Sequence, residues 1–193
     1  DRECRFEVDC ASRGMRVFMA DRSVAGPPID DPAFTILRKF LGATADEDQV
    51  TLDDWVKHSG VPTGDLLLQM DIEGHEYATL LAAPPALLRR FRVIVVEFHW
   101  LDQLWNRLWF TIVSQVFAKL LASHACVHLH PNNCCGLDTT AGIAIPRLME
   151  FTFLRRDRLL SGGPAPSFPH PLDRDNTTDP SLPLPGVWRP TGP

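Results

Sequence analysis

The sequence lacks the cysteine and histidine spacings that mark common metal and redox sites. Its five cysteines include no CxxC pair, which argues against a zinc ribbon or a thioredoxin-like centre. No HExxH or comparable ligand spacing is present, so we assign no metal site. The odd number and irregular spacing of the cysteines indicate reduced thiols. This favours a cytoplasmic protein, although a secreted one stays open and the compartment is not fixed.

Basic clusters and long apolar segments are also scarce. With 19 Lys and Arg against 24 Asp and Glu, the net charge is −5, which argues against nucleic-acid binding. The most apolar long segment, 101–122, is interrupted by Asp102, Asn106, Arg107 and Lys119, whereas a membrane-spanning helix needs about 20 mainly apolar residues. The first residues, DRECRFEVD, lack the apolar core of a signal peptide. We therefore predict no nucleic-acid partner, no membrane span and no signal peptide.

The composition that remains is that of one globular domain followed by a tail. The chain has 193 residues, of which 45% are apolar and 22% charged. Residues 161–193 hold 9 of the 17 prolines and show no periodicity, so we predict a disordered tail there. The domain is expected to occupy residues 1–160.

Short strand-like runs alternate with helical ones along that domain, which predicts an α/β fold. The strands are predicted at RVFMA (16–20), DLLLQMD (65–71), RVIVVEF (92–98) and ACVHLH (125–130), with an edge strand at RLMEFTFLRR (147–156). The run at 92–98 is continuous and rich in β-branched residues, as in parallel strands covered on both faces. The sheet is therefore expected to be largely parallel, with right-handed crossovers.

Four helices are predicted between these strands. They are Phe34–Leu41 from its apolar spacing, a helix capped by Thr51 and ending at Ser59–Gly60, a short helix from Gly74–His75 to Pro84, and an amphipathic helix over Leu101–Ser123. The last helix carries a stripe of Trp, Phe, Val and Leu side chains, which is typical of a helix face packed in the core.

Polar side chains follow four of the predicted strands. They are Asp21; Asp71, Glu73 and Glu76; Glu97 and His99; and His130, Asn132 and Asn133. Ligands of open α/β sheets bind outside the carboxyl ends of the strands. If the sheet is parallel there, these groups converge on one edge and form a candidate site.

Each of these groups has more than one interpretation. Asp21 could accept both hydroxyls of a ribose or could form a turn before Arg22. Glu73 and Glu76 could face a ligand or could only favour the start of a helix. Glu97 and His99 lie two residues apart on one side of their strand and could form a general-base pair.

The order of several segments resembles the FkbM-type and methyltransferase-like domains of the class I S-adenosylmethionine-dependent methyltransferases. The matching segments, within residues 5–157, are FEVDCASRGMRVFMAD (6–21), VTLDDWV (50–56), LLLQMDIEGHEYATL (66–80), VIVVEFHW (93–100), HLHPNNCCG (128–136) and LMEFTFL (148–154). The pairing of DIEGHE with VEFH at this distance is the most specific part.

The resemblance implies a doubly wound, Rossmann-like sheet of seven strands, mostly parallel, with an antiparallel last strand. S-adenosylmethionine would be the cofactor, and a hydroxyl or carboxyl group of a small molecule or sugar would accept the methyl group. Asp21 would hold the cofactor ribose, and Asp71 would border both the cofactor and the methyl-transfer site. The acceptor side would be lined by Glu73, Glu76, Glu97 and His99.

One part of the family pattern is not found in the sequence. The family's first strand and glycine-rich loop precede the FEVDCA segment, whereas this sequence starts at Asp1, almost on that segment. We expect the sequence to be a fragment that lacks its N-terminal part, is less stable and binds the cofactor poorly. A degenerate chain is the alternative.

Two other functions stay open at this point. A catalytically inactive module that keeps the methyltransferase fold is the first alternative. A metal-dependent hydrolase built from Asp71, Glu97, His99 and His130 is the second, weaker one. The identity of the acceptor and the oligomeric state do not follow from the sequence.

Overall fold

The computed structural model describes residues 4–27, 29–160 and 168–189. These residues form a mixed α/β protein, as predicted, with parallel and antiparallel strands. The chain divides into two compact units, Asp1–Pro62 and Thr63–Pro193. Among the described residues, no helix is long and apolar enough to cross a membrane.

The first unit contains two pairs of short parallel strands. Its elements are α1 (Arg5–Ser12), β1 (Val17–Ala20), β2 (Phe34–Leu37), β3 (Phe40–Gly42), β4 (Gln49–Thr51) and α2 (Leu52–His58). Strand β1 pairs with β2, and β3 pairs with β4. As predicted, Thr51 caps α2, since its hydroxyl oxygen accepts a hydrogen bond from the amide of Asp54 at 3.1 Å.

The helix predicted over Phe34–Leu41 is wrong, because the segment forms β2 and β3 instead. The apolar spacing covers only about two helical turns, and in a segment that short the spacing fits a strand as well as a helix. The β-branched Thr35 and Ile36 favour extended backbone. Pairing decides the outcome, since Ile36 lies opposite Met19 in the parallel ladder with β1.

The second unit is built around a four-stranded sheet. Its elements are β5 (Leu66–Met70), α3 (Glu76–Ala82), α4 (Pro85–Leu88), β6 (Phe91–Phe98), α5 (Arg107–Leu121), β7 (His124–Pro131), β8 (Leu137–Thr140), β9 (Ile143–Pro146) and β10 (Met149–Arg155). The sheet has the order β5-β6-β10-β7, with β5 and β6 parallel. The sequence did not predict the antiparallel hairpin of β8 and β9.

Strand β10 is antiparallel to both of its neighbours, which agrees with the family resemblance. Its prediction as an edge strand is wrong, because it lies between β6 and β7. Met149, Phe151 and Phe153 alternate along it and are buried, and both Phe rings pack against Phe117 of α5. The alternation identified a strand but carried no information on how many strands pair with it.

The predicted helix over Leu101–Ser123 is interrupted. A 3₁₀ helix, Leu101–Trp105, comes first, and Asn106 then has extended backbone and begins α5. The side-chain oxygen of Asn106 accepts hydrogen bonds from the amides of Leu108 and Trp109. The predicted core stripe is correct for Val113, Val116 and Leu120, which are buried. It is wrong for Trp105 and Phe110, which are 46% and 56% exposed.

The single seven-stranded sheet is not confirmed. The strands of the described residues form separate sheets of two, four, two and two strands. The predicted disordered tail falls partly on residues 161–167 and 190–193, which lie outside the described residues. Its central part, residues 168–189, contacts the four-stranded sheet, where the Trp188 ring packs on Phe151. The domain boundary at residue 160 stays a prediction.

Candidate functional site

The parallel pairing of β5 and β6 brings two polar chain segments to the same edge of the sheet. Met70, the last residue of β5, pairs with Val96 near the end of β6. The next residue after β5 is Asp71, and the next after β6 is His99. The strand pairing predicted from the sequence therefore places both groups at one carboxyl edge.

A tight turn then folds the chain back from β5 into α3. Glu73 and Gly74 both have left-handed backbone, with φ of 56° and 97°. At Gly74 a side chain would also clash, because the indole ring of Trp100 lies directly over the backbone. Glu76 closes the turn, since its Oε1 atom accepts hydrogen bonds from the amides of Ile72 (3.0 Å) and Gly74 (3.1 Å).

Three carboxylates of this turn surround the imidazole of His99. The Nε2 atom lies 3.3 Å from Glu73 Oε2 and 3.9 Å from Asp71 Oδ1. On the other side of the ring, Nδ1 lies 3.1 Å from Glu76 Oε1, an ion-pair contact without the alignment of a hydrogen bond. Burial differs widely: the side chain of Glu76 is 0% exposed, that of His99 9% and that of Glu73 86%.

Aromatic side chains of the second unit fix the backbone at His99. The hydroxyl of Tyr77 donates a 2.5 Å hydrogen bond to the His99 carbonyl. The Tyr77 ring packs on Phe98 and, edge to face, on Trp109. The indole N–H of Trp109 donates to the carbonyl of Trp100. The position of His99 is thus set by packing and by backbone hydrogen bonds.

The charges in the cluster change the pKa of its members. Burial by itself would lower the pKa of His99, but the carboxylates of Glu76, Glu97 and Asp71 outweigh it and raise the pKa to about 9. Partial burial raises the pKa of Asp71, and Glu73 adds to that effect. The pKa of Glu76 is lowered despite its burial, because His99 and the two amides stabilise the carboxylate.

Glu97 lies beside this cluster on β6. Its Oε1 atom accepts a 2.7 Å hydrogen bond from the side chain of Asn132, which in turn accepts one from the amide of Cys134. Burial raises the pKa of Glu97 to about 7, and the nearby carboxylates of Asp71 and Glu150 add to the rise. The hydrogen bond from Asn132 acts in the opposite direction and favours the charged form.

The structure thus brings together Asp71, Glu73, Glu76 and His99, with Glu97 next to them. The predicted pairing of Glu97 with His99 is replaced by contacts of His99 with the three carboxylates of the turn. His130 does not join this group. Its Nε2 atom contacts the Arg174 carbonyl at 2.9 Å, and its Nδ1 atom lies 3.6 Å from Asp173.

Asp21 belongs to the first unit. It directly follows β1, as predicted, and its Oδ1 atom accepts hydrogen bonds from the amide and the hydroxyl of Ser23. This is the turn that the sequence offered as an alternative to ribose binding. Ribose binding stays a prediction for this residue.

Sequence reasoning missed two residues that shape the site, Tyr77 and Trp100. Each directly follows a predicted site residue, Tyr77 after Glu76 and Trp100 after His99. For Tyr77, the available signal was that the one tyrosine of the chain directly follows an acidic turn. No signal in the sequence indicated the packing of Trp100 on Gly74, because this contact joins residues that lie 26 positions apart.

Residues 17–124 match a family model described as the methyltransferase FkbM domain. The match covers more than half of the chain, from β1 to the start of β7, and confirms the resemblance found in the sequence. It includes both the DIEGHE turn and the end of β6. Comparison with curated proteins and with solved structures gives no match.

Proposed function

We propose that this chain, which belongs to the methyltransferase FkbM domain family, transfers the methyl group of S-adenosylmethionine to a hydroxyl or carboxyl group of a small molecule or sugar. Family membership supports a methyltransferase in general. The observation that supports the acceptor class is the convergence of Asp71, Glu73 and His99 at one carboxyl edge of the sheet. Carboxylates and an imidazolium can hold an acceptor hydroxyl by hydrogen bonds, and a carboxylate can take up its proton.

S-adenosylmethionine supplies an electrophilic methyl group, and the residues described here fit part of that molecule. A carboxylate directly after a parallel strand, as at Asp21, can accept both ribose hydroxyls. Asp71, which is partly exposed at the end of β5, would border the methyl-transfer position. Asp21 is proposed to act on the cofactor, and Asp71 on the acceptor.

On the acceptor side, the burial of each residue suggests its role. Asp71 and Glu73 are exposed and can contact an acceptor, while Glu76 is fully buried. We therefore assign Glu76 to the positioning of His99 rather than to contact with the acceptor. Glu97, held by Asn132, is assigned to the wall of the same site. In-line placement of the acceptor oxygen is the main contribution such a site can make.

The test is transfer of a labelled methyl group from S-adenosylmethionine to a panel of sugars, other alcohols and carboxylic acids. We expect label in at least one acceptor and an equal amount of S-adenosylhomocysteine. Glu73→Gln should reduce the rate by about 10²-fold or more if the carboxylate acts on the reacting oxygen. Glu47→Gln, in an exposed acid of the first unit, is the matched control and should leave the rate unchanged.

The cofactor assignment is tested separately by equilibrium binding of S-adenosylmethionine. Asp21→Ala should weaken binding, and Asp30→Ala, an exposed acid in the loop after β1, should not. Equal binding by wild type and Asp21→Ala would show that the ribose assignment is wrong. Cofactor binding without transfer to any acceptor would favour the inactive binding module.

A further inference from the structure

We propose that Asp71, Glu73 and His99 form a binding site for one divalent cation that accepts both oxygen and nitrogen ligands. Each residue offers one ligand atom, and these atoms all lie within 4.8 Å of one another. Transition-metal ions bind such ligands at about 2.0–2.2 Å, so two ligands of one ion lie about 3–4 Å apart. The measured separations from Nε2 of His99, 3.3 and 3.9 Å, fall in that interval.

A second observation lies outside the three ligands, at Glu76. Its side chain is completely buried, and its Oε2 atom has no hydrogen-bond partner among the described residues. Its Oε1 atom is fixed by the amides of Ile72 and Gly74 and faces Nδ1 of His99. Metal-binding histidines usually donate their other ring N–H to a carboxylate. Glu76 lies at 3.1 Å from that nitrogen of His99, at ion-pair distance but without the alignment of a hydrogen bond. Glu76 thus leaves Nε2 to bind an ion.

The charge balance of the cluster also favours a cation. His99 is the ion-pair partner that Asp71, Glu73 and Glu76 share. One imidazolium neutralises only one of these three carboxylates. A divalent ion on Nε2 of His99 requires the neutral imidazole and so replaces the imidazolium proton, which raises the positive charge facing the three carboxylates from one to two.

The ligand set also indicates which ion to use. Two carboxylate oxygens and one imidazole nitrogen suit first-row transition-metal ions, Mn²⁺ among them, better than Ca²⁺ or Mg²⁺, which prefer oxygen ligands alone. Mn²⁺ is the appropriate probe, because it accepts these ligands and has less preference than Zn²⁺ for the exposed thiols of Cys134 and Cys135. Three protein ligands leave coordination positions open on the exposed side of the site.

The sequence predicted no metal site, and its alternative ligand set was different. That set included His130, which contacts Asp173 and Arg174 instead. Glu73 takes its place, because the left-handed turn at Glu73 and Gly74 directs the chain back towards His99. Ion binding itself does not depend on the proposed methyl transfer, whereas any effect of the ion on an acceptor oxygen does.

The test is titration of the full chain with Mn²⁺, without a methyl donor, followed by calorimetry and by the electron paramagnetic resonance signal of free Mn²⁺. We expect one ion per chain. Glu73→Gln and His99→Gln should weaken binding by at least about tenfold, the loss typical of a removed ligand or its support. His75→Gln, an exposed histidine in the same turn, is the matched control and should bind as wild type does.

Because the side chain of Glu73 is exposed, we expect Glu73→Gln to fold as wild type does. The inference is therefore testable even if His99→Gln unfolds. No stoichiometric binding, or equal binding by wild type and Glu73→Gln, would overturn the inference. Methyl transfer by a chain that binds no Mn²⁺ would also overturn it and leave the proposed function intact. Mn²⁺ binding by a chain that transfers no methyl group would support the ion site and count against the proposed function.

Discussion

At the scale of single residues, Glu76 should contribute most to the stability of the candidate site. Its buried carboxylate accepts two backbone hydrogen bonds and faces His99. Glu76→Ala removes the acceptor of both hydrogen bonds and leaves a cavity, so we expect the free energy of unfolding to fall by about 3–5 kcal/mol. Urea denaturation followed by circular dichroism measures this change.

Two other variants separate the causes of that loss. Glu76→Gln keeps one oxygen for the amides of Ile72 and Gly74 and should cost less than Glu76→Ala. Glu73→Gln, in an exposed carboxylate of the same turn, should change the stability by no more than about 0.5 kcal/mol. A loss in Glu73→Gln as large as in Glu76→Ala would contradict the structural role of Glu76.

Tyr77 gives a second prediction at this scale, because it is the single tyrosine of the chain. Burial raises the pKa of its hydroxyl above the usual value of 10.0. The stability from the neutral hydroxyl is therefore complete below pH 10 and is lost as the pH rises further. We expect the tyrosinate absorbance near 295 nm to appear only as the protein unfolds, monitored in parallel by circular dichroism. Ionisation near pH 10 in the folded protein would show that Tyr77 is not buried.

The sequence predicted the location of the site residues better than their burial. Asp71 and His99 follow from the ends of two strands, which hydrophobic patterns reveal. The difference between exposed Glu73 and fully buried Glu76 does not follow, because it depends on His99, which is more than 20 residues away. For the same reason, no role distinct from that of Glu73 could be predicted for Glu76.

At the scale of structural elements, the turn between β5 and α3 requires glycine at residue 74 for two reasons. The backbone is left-handed there, and the indole of Trp100 covers the position of a side chain. Gly64, before β5, has the same φ of 97° but open space around it. We expect Gly64→Ala to cost about 1–2 kcal/mol of backbone strain and Gly74→Ala to cost about 1–3 kcal/mol more.

A double-mutant cycle on Gly74 and Trp100 tests whether the indole causes the extra loss. Trp100→Ala should make the cost of Gly74→Ala fall towards that of Gly64→Ala, measured by denaturation of all variants. If Gly74→Ala costs the same with and without the Trp100 ring, the contact does not constrain the turn.

Helices and strands were predicted correctly where the hydrophobic pattern of a segment agrees with its pairing in the sheet. Strands β5 and β6 are continuous apolar runs that pair with each other, and both appear as expected. The segment 34–41 was predicted to be a helix, because its short apolar pattern fits helical spacing. Its pairing with β1 makes it a strand, and the apolar pattern of the segment does not reveal that partner. The edge position predicted for β10 was wrong for a related reason, since alternation does not show a strand's neighbours.

At the scale of the whole chain, residues 168–189 are bound to the second unit by contacts that composition does not reveal. A carboxylate oxygen of Asp173 lies 2.9 Å from a ring nitrogen of His128, and the other lies 3.6 Å from one of His130. Leu184 is buried. The prediction of disorder rested on proline content and missing periodicity, and neither carries information on single polar and apolar contacts of this kind.

Asn133 is the central anchor of this segment. Its side-chain oxygen accepts hydrogen bonds from the amides of Asn176 and Thr177, both at 3.0 Å, and its amide group donates to the carbonyls of Thr177 and Asp179. Asn133→Ala removes all four bonds and should make the amides of Asn176 and Thr177 exchange with deuterium at least about tenfold faster, since one order of magnitude corresponds to about 1.4 kcal/mol. Asn176→Ala, which removes only a side-chain bond to Glu150, is the control and should leave the Thr177 amide protected. Unchanged exchange in Asn133→Ala would mean that other contacts hold the segment.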